Sequence, residues 1–133
     1  MASTALEPQN PLVVIIDDDP AVLNSLKFSF EIEGFAVRTF EDPADLLNSD
    51  ELSHSGCLVI DFNLRGIDGL NVLRQLRRRE ISAPAILITT NPTALLRERA
   101  ALAGVPIVEK PLFGNTLIDS VRRALDRGRP GNR

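Results

Sequence analysis

The chain is poor in the residues that staple, stack or span. Among its 133 residues there is one cysteine, Cys57, so no internal disulfide can form and nothing points to an oxidising compartment. Trp and Tyr are missing and aromatics reach only 5%, all of them Phe, which argues against a stacking platform for single-stranded nucleic acid. His54, the single histidine, lies between Ser53 and Ser55 with no second His or Cys cluster, so a zinc-type site is not expected. No apolar run approaches the ~18 residues of a membrane span, and residues 1–10 lack the basic-then-apolar order of a signal peptide. The expected place of work is the cytoplasm, without membrane contact.

A formal net charge of −3 argues against general nucleic-acid binding, and no direct nucleic-acid contact is expected of this chain. The charge is unevenly spread: residues 122–133 carry five Arg and one Asp. That cluster reads as a helix end complementing its own dipole, followed by a frayed terminus. With 44% hydrophobic and 25% charged residues, the chain has the composition of one globular domain and leaves no room for a second large one. The domain is expected over residues 11–127, with flexible tails at 1–10 and 128–133.

Short apolar runs alternate with amphipathic stretches along almost the whole length. Residues 12–16 form a β-branched run stopped by Asp17, Asp18, Asp19 and Pro20. Val22, Leu23, Leu26, Phe30 and Ile32 then recur at mostly helical spacing as far as Gly34. Further strands are predicted at 35–39, 57–60, 84–88 and 105–108. Intervening helices are predicted from Asp42-Pro43, from Asp68 or Gly69, from Asn91-Pro92 to Ala103, and through Leu117, Ile118, Val121 and Leu125. Arg77, Arg78 and Arg79 read as a solvated helix end, and Cys57 as core packing. Five strands with helices between them predict an α/β fold: a doubly wound five-stranded parallel sheet in the flavodoxin-like order 2-1-3-4-5, with helices on both faces.

In such a sheet, ligands bind outside the carboxyl ends of the strands, so the residues that follow each apolar run carry the information. The first strand runs into Asp17, Asp18 and Asp19, the third into Asp61, the fourth into Thr89 and the fifth toward Lys110. Asp19, placed before Pro20, is explained as a helix N-cap. The others put up to three carboxylates in one crevice, where like charges are costly unless a cation joins them. A hard divalent ion such as Mg²⁺ suits that donor set, typically with one or two carboxylates, waters and a phosphate. Lys110 offers a point charge for a phosphoryl oxygen and Thr89 a hydroxyl donor. Lysine is otherwise confined to Lys27, against thirteen Arg, so a compact ammonium at this strand end is informative.

The residues Val14-Ile15-Ile16-Asp17-Asp18-Asp19-Pro20, Leu58-Val59-Ile60-Asp61, Gly66-Ile67-Asp68-Gly69, Ile86-Leu87-Ile88-Thr89 and Lys110-Pro111 together resemble the receiver domain of bacterial two-component response regulators. The resemblance implies that Asp61 accepts a phosphoryl group from a sensor histidine kinase or phosphotransfer protein, in a Mg²⁺-dependent reaction. It implies metal contacts from Asp18 and Asp61 directly, Asp17 through water and the backbone carbonyl of Asn63. It further implies that Lys110 pairs with the phosphorylated Asp61, that Thr89 swings toward the phosphate, and that the Lys110-Pro111 bond is cis. A face around residues 92–125 would then bind a downstream protein or a second receiver. At most such a chain catalyses its own phosphorylation and dephosphorylation. Three positions depart from the family pattern. Arg65 replaces a usual Pro and makes its loop more cationic, Ile107 stands where a switch aromatic is usual, and Thr90 replaces a small residue and is expected to slow hydrolysis of the phosphoaspartate. Two other functions fit parts of the pattern: a degenerate receiver acting as a phosphorylation-independent binding module, and an aspartate-nucleophile phosphatase. The second is disfavoured because Asn63 stands where such enzymes need a second Asp.

Overall fold

Asp-Pro steps and short β-branched runs set the frame. The computed structural model describes residues 10–112 and 114–127. The strands are β1 (Leu12–Ile16), β2 (Ala36–Phe40), β3 (Cys57–Asp61), β4 (Ala85–Thr89) and β5 (Ile107–Glu109). The helices are α1 (Pro20–Ile32), α2 (Pro43–Leu47), α3 (Gly69–Arg78), α4 (Ala94–Leu102) and α5 (Thr116–Arg127), with one 3₁₀ turn at Leu52–His54. All pairings are parallel and the sheet order is β2-β1-β3-β4-β5, as expected. The tails expected at 1–10 and 128–133 lie, apart from Asn10, outside the described residues.

Strand residues alternate between two apolar layers, as the period of two requires. Val14, Ile16, Leu58, Ile60 and Leu87 pack with Leu46 of α2, Leu73 and Leu76 of α3, and Leu96 of α4. Val13, Ile15, Val59, Ile86 and Ile88 pack with Leu23, Leu26 and Phe30 of α1 and with Ile118 and Val121 of α5. Both faces are therefore covered, and the central strands read as continuous apolar runs for that reason. No helix among the described residues is long and apolar enough to cross a membrane.

Several boundaries differ from expectation, each for a local reason. Phe35 belongs to the turn: its N–H donates to Phe30 O at 3.1 Å and its ring meets Phe30 edge-on at 5.4 Å, so β2 begins one residue later. Pro84 has no N–H for the ladder, and β4 begins at Ala85 and extends through Thr89. Helix α4 does not start at Asn91-Pro92. Asn91 has a φ of 47°, whereas an N-cap needs extended backbone, and Thr93 caps instead by accepting from Leu96 N at 3.0 Å. Val105 N donates to Ala100 O to close that helix, which delays β5 to Ile107 and adds Glu109. Ile32, expected on the core stripe of α1, is 65% exposed because its phase departs from that of Leu23, Leu26 and Phe30. The arginines at the end of α3 do more than meet solvent. Arg77 donates to Ile81 O and Ala83 O at 2.8 and 2.7 Å, and Arg79 donates to Leu47 O and Ser49 O.

Candidate functional site

Register places the first two acids side by side. Ile16 pairs with Ile60 across β1 and β3, and Asp17 and Asp61 are the residues that follow each. Both are buried, at 1% and 4% exposure, as is Thr89 at 1%. Lys110 reaches them from beyond β5, where its own N–H is held by Thr89 O at 2.8 Å. The Lys110 ammonium donates to Asp17 Oδ2 at 2.9 Å and lies 3.4 Å from Asp61 Oδ2. The Lys110-Pro111 peptide is cis.

Local turns fix the remaining carboxylate oxygens. Asp17 Oδ1 accepts from Asp19 N at 2.9 Å, and Asp61 Oδ1 accepts from Asn63 N at 3.2 Å. Asp19 itself caps α1 by accepting from Ala21 N, the role expected of it. Asp68 caps α3 by accepting from Asn71 N at 2.8 Å. Between these acids the loop is closed on itself by an Asn63–Asp68 bridge and by Gly69 N donating to Phe62 O at 2.8 Å. A Cβ on Gly69 would lie 2.5 Å from Asp61 O, so only glycine lets α3 begin this close to the strand end.

The electrostatics follow from burial and like charge. Burial, and then the charge of Asp17, raise the Asp61 carboxyl to about 6, against the lowering effect of Lys110 and the Asn63 N–H. Burial alone would lower the Lys110 ammonium, but its hydrogen bond to Asp17 and the charges of Asp17 and Asp61 outweigh that and raise it. Thr89 Oγ1 accepts from the Asn63 side-chain amide at 3.4 Å, tying the end of β4 to the loop after Asp61. Thr90, Asn91 and Thr93 continue that polar rim.

Asp17, Asp61 and Lys110 are thus joined by direct contacts and Thr89 by its carbonyl to Lys110 N, whereas the one ion pair of Asp18 among the described residues is with Arg65. The Asp18 side chain is 24% exposed and its Oδ2 lies 3.9 Å from Nε of Arg65. Consequently no group of three acidic, His or Cys side chains converges on a metal-sized point among the described residues. Asp18, Asp61 and the backbone carbonyl of Asn63 are hard-oxygen donors of the kind Mg²⁺ takes with waters, so the donor chemistry fits even though no three acids converge on one point. Contacts that the residue pattern could not reveal include the Arg65–Asp18 pair and the close approach at Gly69. An apolar cleft of about 590 Å³ between α1 and the start of α5, lined by Leu26, Ile32, Leu112 and Ile118 and reaching Lys110, also went unforeseen. Ile32, expected on the core stripe of α1, lines this cleft instead.

A family model described as the response regulator receiver domain matches residues 13–122. Among curated proteins, the C4-dicarboxylate transport transcriptional regulatory protein DctD of Pseudomonas aeruginosa is 36% identical over 115 residues, covering 86% of this chain and 25% of that protein. The transcriptional regulatory protein FixJ of Azorhizobium caulinodans is 34% identical over 121 residues, covering 90% of this chain and 57% of that protein. The chain therefore spans from a quarter to somewhat over half the length of these relatives. Among solved structures, FixJ-N superposes with a TM-score of 0.78 at 29% identity, over 93% of this chain and 99% of that one. The signal receiver domain of a LuxO repressor protein from Vibrio parahaemolyticus gives 0.81 at 22% identity over 90% and 92%, a likeness of fold.

Proposed function

Because this chain belongs to the response regulator receiver domain family of two-component systems, we propose that Asp61 accepts a phosphoryl group from a phosphohistidine on a sensor kinase or phosphotransfer protein. The observation that carries this reading is the buried pair Asp17 and Asp61 bridged by Lys110. A carboxyl at about 6 is mostly ionised at neutral pH, so Asp61 is available as a nucleophile. Its oxygen bonds to phosphorus in line as the phosphorus–nitrogen bond of the donor breaks, and the departing imidazole keeps the electron pair and takes up a proton. Lys110 balances negative charge on the equatorial oxygens, and Thr89 donates its hydroxyl to one of them after leaving Asn63. Asp18, Asp61 and the carbonyl of Asn63, with Asp17 through water, are the groups that would hold Mg²⁺. When bound, that ion supplies electrostatic stabilisation of the transferring phosphoryl group.

The acyl phosphate then acts as a signal. Asn63 is an amide and cannot shuttle a proton to water, and Thr90 adds bulk on the rim, so hydrolysis is slow. A phosphoryl group that favours the position of Thr89 closest to it shifts the β4–α4 connection and the face around residues 92–125, where a downstream protein or a second receiver binds.

Intact mass after incubation with Mg²⁺ and acetyl phosphate tests this reading beside Asp61→Asn. One phosphoryl adduct is expected on the parent chain, persisting for minutes after the donor is removed, and none on the variant. An adduct on both, or loss of the parent's adduct within seconds, contradicts the reading. No adduct on either folded protein points instead to a binding module that works without phosphorylation.

A further inference from the structure

Two acids of the crevice are drawn to Lys110, and the third is drawn to an arginine that no step above uses. Asp18 Oδ2 lies 3.9 Å from Arg65 Nε, and the Asp18 side chain enters no other ion pair among the described residues. The root of Arg65 is fixed by its loop: Gly66 turns the chain at a φ of 80°, and the Asn63–Asp68 bridge closes the segment around it. Its head is free, with the side chain 89% exposed. A guanidinium is always charged, and this one lies 3.9 Å from a carboxylate that the proposed function gives to the cation.

We propose that Arg65 is a competing counter-ion for Asp18, a positioning residue that a divalent cation must displace, so that it sets the cation concentration at which the crevice fills. The proposal rests on the reading of Asp18 and Asp61 as cation-binding acids. An exposed pair at this distance is weak, so the arginine tunes affinity and does not block it. Repulsion between a displaced guanidinium and a divalent ion roughly 6–12 Å apart in a water-like dielectric corresponds to about a three- to ten-fold loss of affinity. That loss is screened by salt, because the group lies in solvent.

The test is a Mg²⁺ titration of the full chain, followed by amide NMR shifts at Asp18 and Phe62, with Arg65→Gln and Arg65→Lys beside the parent. Melting curves without cation check that all three are folded alike, as the exposure of Arg65 leads one to expect. Arg65→Gln is expected to bind Mg²⁺ about three- to ten-fold more tightly at low salt. Arg65→Lys should stay within about two-fold of the parent, and the gap between Gln and parent should narrow toward 1 M salt, where the Debye length is ~3 Å. Equal or weaker binding by Arg65→Gln overturns the proposal, as does equal tightening in both variants, which would mark an effect of loop shape and not of charge. Absence of binding in all three overturns the cation-site reading and this proposal with it. Binding by the parent that is unmoved in both variants removes the proposal alone.

Discussion

Ionised Asp61 is costly to the fold, because it is buried beside a second carboxylate. Its native carboxyl is raised to about 6 from the ordinary 3.8, by burial and by Asp17. Well below 3.8 the group is neutral in both folded and unfolded chains, and its burial has no ionic cost. As pH rises through 6 the native state binds more protons than the unfolded state, so stability falls over that window. Asp61→Asn keeps the shape and removes the charge, while Lys110 retains Asp17 at 2.9 Å. Urea unfolding is therefore expected to show the variant more stable at pH 7.5, by on the order of 2–3 kcal/mol, with the gap closing near pH 4. A constant difference across that range would mean that burial of the charge is not its source. The acids, Thr89 and Lys110 were legible in sequence because a parallel sheet delivers every strand end to one edge, whatever the helices do. The partner of Asp18 was not legible, because the Arg65–Asp18 contact joins the loops after β1 and β3 and leaves no periodic trace.

Elements were legible where apolar runs were long and ambiguous where a cap or turn decided the boundary. Helix α3 was readable from Leu70, Val72, Leu73 and Leu76, all buried as expected, and from its Asp68 cap. Helix α4 was readable as a helix and at its end, capped at Ala103, but not at its start, and two of its leucines, Leu95 and Leu102, are 65% and 85% exposed and blur its apolar face. Its start was decided by the left-handed backbone of Asn91, which an Asn-Pro pair does not announce. The tightest joint lies between β3 and α3. A methyl group on Gly69 would meet Asp61 O at 2.5 Å and both Ile60 Cγ2 and Phe62 Cα at 3.0 Å, two of these three atoms being backbone. Gly69→Ala should accordingly cost about 1–3 kcal/mol, the usual range for overpacking, and slow phosphoryl uptake by shifting Asp61. Gly66→Ala is the control, strained by its φ of 80° but meeting nothing within 4 Å. Denaturation midpoints and adduct rates that rank the two variants alike would show that close approach at the strand end is not what Gly69 provides.

Across the whole molecule, packing is uneven between α3 and α4, and the proposed switch is expected on the weaker side. Helix α3 buries five residues against the sheet, whereas α4 buries only Leu96 and Ala100 and is followed by the three-residue β5. A segment held by so few apolar contacts lies at the low-stability end of the fold, which is where a small bias at Thr89 can shift a population. Ile107 opens β5 opposite Leu87 and packs partly into the α2–α3–α4 layer, so no aromatic ring is available there to swing. On the proposed function, the bias passes instead through Thr89 and the 90–93 connection into α4. Hydrogen exchange on the chain treated with Mg²⁺ and acetyl phosphate is expected to change mainly over residues 89–111, with β1 and the buried face of α1 unaltered. Asp61→Asn should show no change under the same treatment. Changes confined to residues 61–69 would leave the phosphoryl group bound without a switch, and changes spread evenly over both layers would indicate general stabilisation, because only a weakly anchored α4 concentrates the response on one face.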